Sequence, residues 1–496
     1  MARPDLSLCL IVRDEAAMLP GFLAAADGLA DELVAVDTGS RDRTLDLLAA
    51  AGARVVRHRW QEDFAAARNA ALDAAAGRWI LVLDADERPT AALVAQVRAL
   101  LADPAAGAAT LVMRNALPAG GHKDADLLRL FRNDPQIRYR HAIHEDASAG
   151  VAAFLAATGL VQRRLGGVVH HLGYVRDHAA ARAKQDRDTA ILRRLVAADP
   201  GDLYSWYKLL EQARFWDDRA LRAATAPAAA AAFAAADAAW LGTRPWSGDL
   251  AAMLAEAADD DPAARLVWLA ANRDRTAPTA AWHLARARWL EATGDLTGAD
   301  AAARDGEVAA RDGSAHLAVR ARLLRARLAA AAGDLAAARD LATAAADAVP
   351  TDAEALLAGV AFSRAAGGEP GLQAFVAARR AADPHADPDL ARALLGAGQP
   401  AAAAGVLADL ALADPAAALG LLVCALVTGE PFDRTLDLDQ DAADAALREW
   451  VGLLWESRRT DLMAAFADRA PSVTGAFPWL PEFLAERTRR LSSSRR

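Results

Sequence analysis

The sequence predicts an α/β domain built on a largely parallel sheet, followed by a long all-helical region that reads as an α-solenoid. Three observations predict it. From residue 6 to about 87, short strongly apolar runs alternate with amphipathic segments rich in Ala and Leu. After His178 the chain becomes nearly continuous Ala, Leu, Arg and Glu, which are good helix formers. Within that second part Gly and Pro recur 34 residues apart, from Gly333 to Gly367 and from Pro350 to Pro384.

The bulk properties bound the answer. A chain of 496 residues exceeds one ordinary core and implies two or three domains. The net charge is −9, and the basic residues are almost all scattered Arg, which excludes a dedicated nucleic-acid partner. Cys9 and Cys424 are expected to be reduced core residues of a cytosolic protein. MARPDLSLCLIVRDE reads as a first strand and not as a signal peptide. No stretch reaches the ~18 strongly apolar residues of a membrane span. The expected location is therefore the cytoplasm, with peripheral contact at the inner face of the membrane allowed and insertion not.

In order, LSLCLIV, ELVAVD, ARVVRH and RWILVLD read as strands, and residues 15–28, 42–51 and 64–76 between them as helices. Strands this apolar need cover on both faces, hence a parallel sheet between helices, with ligands beyond the C-terminal strand ends. To about residue 175, AATLVMRN, ADLLRLFRN, IRYRHAIHE and GGVVHHLGY read as further strands on the acceptor side of the same domain. In the helical part, Gly333, Ala338, Ala345 and Pro350 stand where a helix-turn-helix repeat places its turn, its close contacts and its end. An earlier unit surrounds Gly294, and Gly398, Ala403 and Pro415 repeat the phase at shorter spacing. The competing reading is an irregular helical domain, because an Ala-rich composition makes such matches cheap. Trp450, Trp455 and Trp479 suit a terminal cap. The predicted organisation is an α/β domain at 1–178, helical linker and domain start at 179–279, degenerate tetratricopeptide-like (TPR-like) repeats at 280–425 and a helical cap at 426–496.

The sharpest chemical signal is RWILVLDADERP, where Asp84 and Asp86 follow a strongly apolar strand. At a strand end the backbone turns, so two carboxylates separated by one residue can converge on a hard cation that also neutralises a departing diphosphate. The same residues also serve elsewhere as turn formers or helix caps. Asp37 ends a second strand and precedes Thr38, Gly39 and Ser40; it would accept hydrogen bonds from a base or ribose, or, like Ser40, cap the next helix. Arg13, Asp14 and Glu15 follow the first strand. Carboxylates at three neighbouring strand ends repel one another unless they bind something. Asp63 is placed to cap the next helix, with Arg68 and Asn69 near its middle, facing either solvent or a cleft.

Taken together, SLCLIVRDEAAMLPGFL, ELVAVDTGSRDRTLDLLAAAGARVV, WQEDFAAARNAAL, GRWILVLDADE, LLRLFRN, IHE and VVHHLGY resemble, in that order, the family 2 glycosyltransferases of GT-A fold. The nearest likeness is to the bacterial branch carrying TPR-like helices after the catalytic domain, and it covers about residues 5–178 closely. The resemblance implies that Glu15, with Asp14 beside it, and Asp37 lie near the base and ribose of a nucleoside-diphosphate sugar. Asp14 departs from the commoner Asn. It further implies that Arg68, supported by Asn69, approaches the donor phosphates or base, and that Asp84 and Asp86 bind a divalent metal, Mn2+ or Mg2+, with Asp86 the firmer ligand. Glu145, or Asp146 beside it, is implied as the base that deprotonates the acceptor hydroxyl. His170 or His171 would join the metal or phosphate shell; only one can, since neighbours in a strand alternate, and His170 is preferred, with packing under Tyr174 as its ordinary alternative. Arg129, Arg132 and His141 would line the phosphate or acceptor side.

The implied reaction is inverting transfer of a sugar, with UDP as leaving group, to a hydroxyl of a glycan, lipid-linked or protein acceptor. A nucleotidyltransferase would instead want a Gly-rich loop after the first strand, which VRDEAAML lacks. A catalytically silent interaction protein would be expected to have lost the Asp84/Asp86 pair. The helical region would engage the acceptor, a protein partner or a second copy of the chain.

Overall fold

The computed structural model describes residues 3–116, 122–172, 178–310, 315–383, 386–412, 414–432 and 440–493. The chain forms two compact units, residues 1–241 with 256–258, and residues 242–255 with 259–496.

The first unit opens with the alternation read from the sequence: β1 (Leu6–Val12), α1 (Leu19–Ala25), β2 (Glu32–Asp37), α2 (Thr44–Ala50), β3 (Arg54–Arg57), α3 (Phe64–Ala74) and β4 (Trp79–Val82). It continues with β5 (Glu87–Pro89), α4 (Ala91–Leu101), β6 (Ala106–Ala116), β7 (His122–Arg132), α5 (Ser148–Thr158) and β8 (Val161–His171). These strands form one sheet in the order β3-β2-β1-β4-β7-β6-β8-β5. The first four are parallel, and β7 then runs antiparallel to both neighbours. Along β1, Leu6, Leu8, Leu10 and Val12 enter the core on one face with Leu19 of α1 and Leu93 of α4, while Cys9 enters the core on the other with Ala67 and Ala71 of α3. Full burial of such side chains contributes roughly 1.5–3 kcal/mol each.

IRYRHAIHE corrects one expectation, for it is not a strand. It is a loop closed by a single antiparallel bridge, Arg140 to Asp146. His141 and His144 have φ of 70° and 53°, which no extended chain adopts. Ile137, Tyr139 and Ile143 are buried at odd positions and so imitate strand periodicity. In place of a ladder, the Asn69 carboxamide accepts from the Tyr139 N–H and donates to its carbonyl, both at 2.9 Å.

After the sheet this unit continues with α6 (His178–Ala198), α7 (Leu203–Phe215) and α8 (Arg219–Ala235). Ile191, Leu192, Leu209 and Leu221 from these helices form a buried cluster that takes in Ile143 of the loop.

The second unit is helical in all its described residues that have regular structure, and its helices pack in sequence as in a TPR-like solenoid. Gly294 and Gly333 both have φ 85° at helix-helix turns, and the following Asp295 and Asp334 accept a backbone N–H of the next helix. Ala299, Ala302 and Ala303, like Ala338, Ala342 and Ala345, are fully buried where the helices meet. Gly367 stands, as expected, at a helix-helix junction: the next residue, Gly368, has φ 61° and breaks the stretch Ala353–Ala382 into two helices. Pro384 lies outside the described residues, as does Tyr174. Among the described residues no helix is long and apolar enough to cross a membrane.

Candidate active site

The ends of β1 and β2 are tied to each other before any ligand is considered. Asp37 is 5% exposed, and its oxygens accept the Gly39 and Ser40 N–H groups at 3.3 and 3.0 Å. The α2 N-cap position is Arg43, so neither Asp37 nor Ser40 caps that helix. Asp14, exposed with φ 55°, donates its N–H to Ser40 Oγ and accepts the Arg41 N–H at 2.7 Å. The Glu15 N–H donates to Thr44 Oγ1 at 2.7 Å. Asp14, Glu15 and Asp37 therefore share one rim at the C-terminal ends of parallel strands.

Arg68 of α3 joins the two halves of the site. Its Nη2 donates to Asp84 Oδ1 at 2.9 Å and its Nε to Glu145 Oε1 at 3.0 Å. Composition favours solvent for a mid-helix Arg, yet this side chain is 7% exposed. Its Nη1 is buried without a hydrogen-bond partner among the described residues. Burial alone would raise the Asp84 pKa, but Arg68 and then Arg129 outweigh it and hold the carboxyl down at about 2.

Glu87, which the sequence reading passed over, completes this cluster. It is 2% exposed, accepts the Asp84 N–H at 2.9 Å and pairs with Arg129 at 3.2 Å. Burial pushes its pKa up to about 7, against Arg129 and with the help of Asp84. Its place as the last acid of DADE was the available signal, since a carboxylate three residues on can bond a turn's first N–H.

Asp86 faces the far end of β8. Pairing of β5 with β8 sets Glu87 opposite His171, and the Leu172 N–H donates to the Asp86 carbonyl. His171 Nε2 lies 3.4 Å from Asp86 Oδ2, and His171 Nδ1 lies 2.8 Å from Asn115 Oδ1. Of the two histidines it is His171, and not the preferred His170, that lies beside Asp86; His170 is exposed, since neighbours in a strand alternate. A proton on Nδ1 donated to Asn115 leaves the Nε2 lone pair directed at the carboxylate, an arrangement that a cation satisfies. Among the described residues no group of three or more His, Cys, Asp or Glu that could hold a metal ion is found.

The Glu145 loop is held from α7. Tyr204 Oη donates to the His144 carbonyl at 2.9 Å, and its ring stacks on His141 at 3.6 Å. Burial lowers the pKa of both His141 and His144. Asp146 accepts the Ser148 N–H at 3.0 Å and its hydroxyl at 2.6 Å. The Asn69 carboxamide is committed to the Tyr139 backbone. Arg132 is corrected outright: it stacks on Trp79 at 4.1 Å and donates to the Ala106 carbonyl, at the beginning of β4 and not at its end.

Residues 7–154 match the model described as glycosyl transferase family 2. A TPR repeat-containing protein of Synechococcus elongatus is 40% identical over 210 residues, 42% of this chain and 52% of that protein. The chain thus spans about half the length of that curated relative. Glucosyl-3-phosphoglycerate synthase from Mycobacterium tuberculosis, solved with Mn2+, uridine diphosphate and phosphoglyceric acid, is similar at 18% identity and a TM-score of 0.29. That match covers 39% of this chain and 78% of the synthase. PilW, a type IV pilus biogenesis factor, is similar at 18% identity and a TM-score of 0.33, over 43% of this chain and 92% of PilW.

Proposed function

Since the N-terminal domain is a family 2 glycosyltransferase domain, we propose that the chain moves a sugar from a nucleoside-diphosphate sugar to an acceptor hydroxyl, with inversion and with UDP as the leaving group. One observation carries the reading. A single buried guanidinium, Arg68, spans from Asp84 at the end of β4 to Glu145 on the opposing loop, which brings a donor-side carboxylate and a candidate base to one point. Asp14, Glu15 and Asp37 form the rim on which base and ribose would rest. Asp86 and His171 would hold the divalent cation, Mn2+ or Mg2+, with diphosphate and water as the remaining ligands. When bound, that ion supplies neutralisation of the charge that builds on the departing diphosphate.

Glu145 would take the proton from the acceptor oxygen as that oxygen attacks the anomeric carbon opposite the leaving group. Arg68 holds Oε1 of the Glu145 carboxylate, which would leave the second oxygen to take the proton. Asp146 is less suited, because its Oδ1 already accepts two bonds from Ser148. The helical second unit would bring an acceptor or protein partner to the enzyme, or a second copy of the chain, through its extended surface.

The test is release of nucleoside diphosphate from a panel of nucleotide sugars with Mn2+ or Mg2+, beside EDTA and Asp86→Ala controls. Metal-dependent release of one diphosphate, lost in the variant, is expected. Absence of both turnover and binding of any nucleoside diphosphate would overturn the reading.

A further inference from the structure

A cavity of about 500 Å3 lies between the β6–β7–β8 face and α5, with Glu145 and Asp146 among its lining residues. Its volume falls in the ~300–1,000 Å3 range of small-molecule sites. The charges that line it are already spoken for. Arg129 is the one cation among the lining residues, and it is held by Glu87 at 3.2 Å and Asp84 at 3.8 Å. The carboxylate of Asp126 is bridged at 3.0 Å by Arg164 of β8. Glu145 is paired in turn with Arg68 at 3.0 Å, so the lining charges are largely compensated pair by pair and an entering anion would find no free counter-charge among the lining residues.

What the cavity offers instead is suited to hydroxyls. The Asp126 and Asp146 carboxylates accept O–H groups, the Gln162 amide both donates and accepts, and Thr110 and Ser148 add two hydroxyls. Leu128 and Leu155 supply an apolar wall against which the C–H face of a pyranose can lie. Building on the glycosyltransfer reading above, we propose that this cavity is the acceptor subsite and that it takes an uncharged saccharide, one of whose hydroxyls is presented to Glu145. In the transfer, the acceptor oxygen bonds to the anomeric carbon, the bond from that carbon to the diphosphate oxygen breaks, and the acceptor proton passes to Glu145.

The experiment uses the full chain with its donor and Mn2+, and measures nucleoside-diphosphate release and product mass. Neutral methyl glycosides and disaccharides are compared with their phosphorylated and uronate counterparts and with Ser- and Thr-containing peptides. Release without any acceptor, or binding of a nucleoside diphosphate, reports the donor reading by itself, so the absence of both sinks that reading and not this one. Neutral saccharides are expected to stimulate release and form product at least ten times better than their anionic counterparts. Asp126→Asn, which leaves Arg164 without its carboxylate, is expected to narrow that preference at least fivefold. Gln162→Ala, an exposed change, is expected to raise the KM for saccharide. Where donor is hydrolysed, equal or better use of anionic acceptors or peptides, or no stimulation by any neutral saccharide, would overturn the proposal.

Discussion

Replacing Arg68 with Met tests the electrostatic centre of the site. The side chain is 7% exposed and its two carboxylate partners, Asp84 and Glu145, are 35% and 16% exposed. The drop of Asp84 from 3.8 to about 2 corresponds, at about 1.4 kcal/mol per unit, to about 2.4 kcal/mol of linkage. Screening at a group one-third open to solvent reduces this to about 1–1.5 kcal/mol. The more enclosed Glu145 pair is also broken, so a total loss of about 3 kcal/mol is expected, at the low end of values for removing one member of a buried pair. The sign follows from the depressed pKa: the Asp84 contribution is complete above its unfolded value of 3.8 and disappears as pH falls through about 2. Urea unfolding followed by tryptophan fluorescence at pH 7 and pH 3 should show the gap between wild type and variant narrowing by about 1 kcal/mol at the lower pH. A loss under about 1 kcal/mol at pH 7, or a gap equal at both pH values, would refute the assignment.

Asn115→Ala should weaken Mn2+ binding in the presence of UDP by about 10–100-fold, measured by calorimetry, because His171 loses the partner of its Nδ1. Glu145→Gln should lower kcat by about 10²–10⁴ while leaving nucleoside-diphosphate affinity nearly unchanged, as steady-state kinetics and equilibrium binding will show. Tyr204→Phe keeps the stack on His141 and removes the bond to the His144 carbonyl; kcat should fall roughly 3–10-fold with an unchanged donor KM. In the second unit, a Cβ on Gly420 would lie 2.5 Å from Trp450 Cε2. Gly420→Ala should therefore cost about 1–3 kcal/mol, read as a lowered melting temperature.

The alternation through β4 was legible because the strands are buried on both faces and each helix carries one apolar side. Helix caps were legible too: Asp63 accepts the Ala66 N–H as its position implied. Direction was not. Arg132 stands in an apolar, Arg-containing run like that of Arg129, but β7 is antiparallel to β4, so its last residue pairs with Trp79 at the beginning of β4. Whether a strand runs up or down is set by the connection and by tertiary pairing, and neither leaves a periodicity in the chain. Parity was half legible. The alternation rule allowed one of His170 and His171, and the pairing of Glu87 with His171 decided which. The loop 137–145 was hidden because buried Ile137, Tyr139 and Ile143 have strand spacing, whereas the positive φ at His141 and His144 falls on residues that carry no glycine-like signal.

The placement of that loop bears on what constitutes the catalytic unit. A loop with two positive-φ residues and a single bridge has little of its own to fix Glu145. Its order comes from outside: Asn69 of α3 holds Tyr139, Ile143 is buried among Ile191, Leu192 and Leu209, and Tyr204 grips the His144 carbonyl. A base works only if it is held within a few tenths of an ångström of its task. The last two supports come from α6 and α7, beyond the residues matched by the family model, which end at 154. If Glu145 is the base as proposed, the first helices after the sheet belong to what aims it, so substitutions in α7 that leave the sheet intact should act on turnover before they act on donor binding.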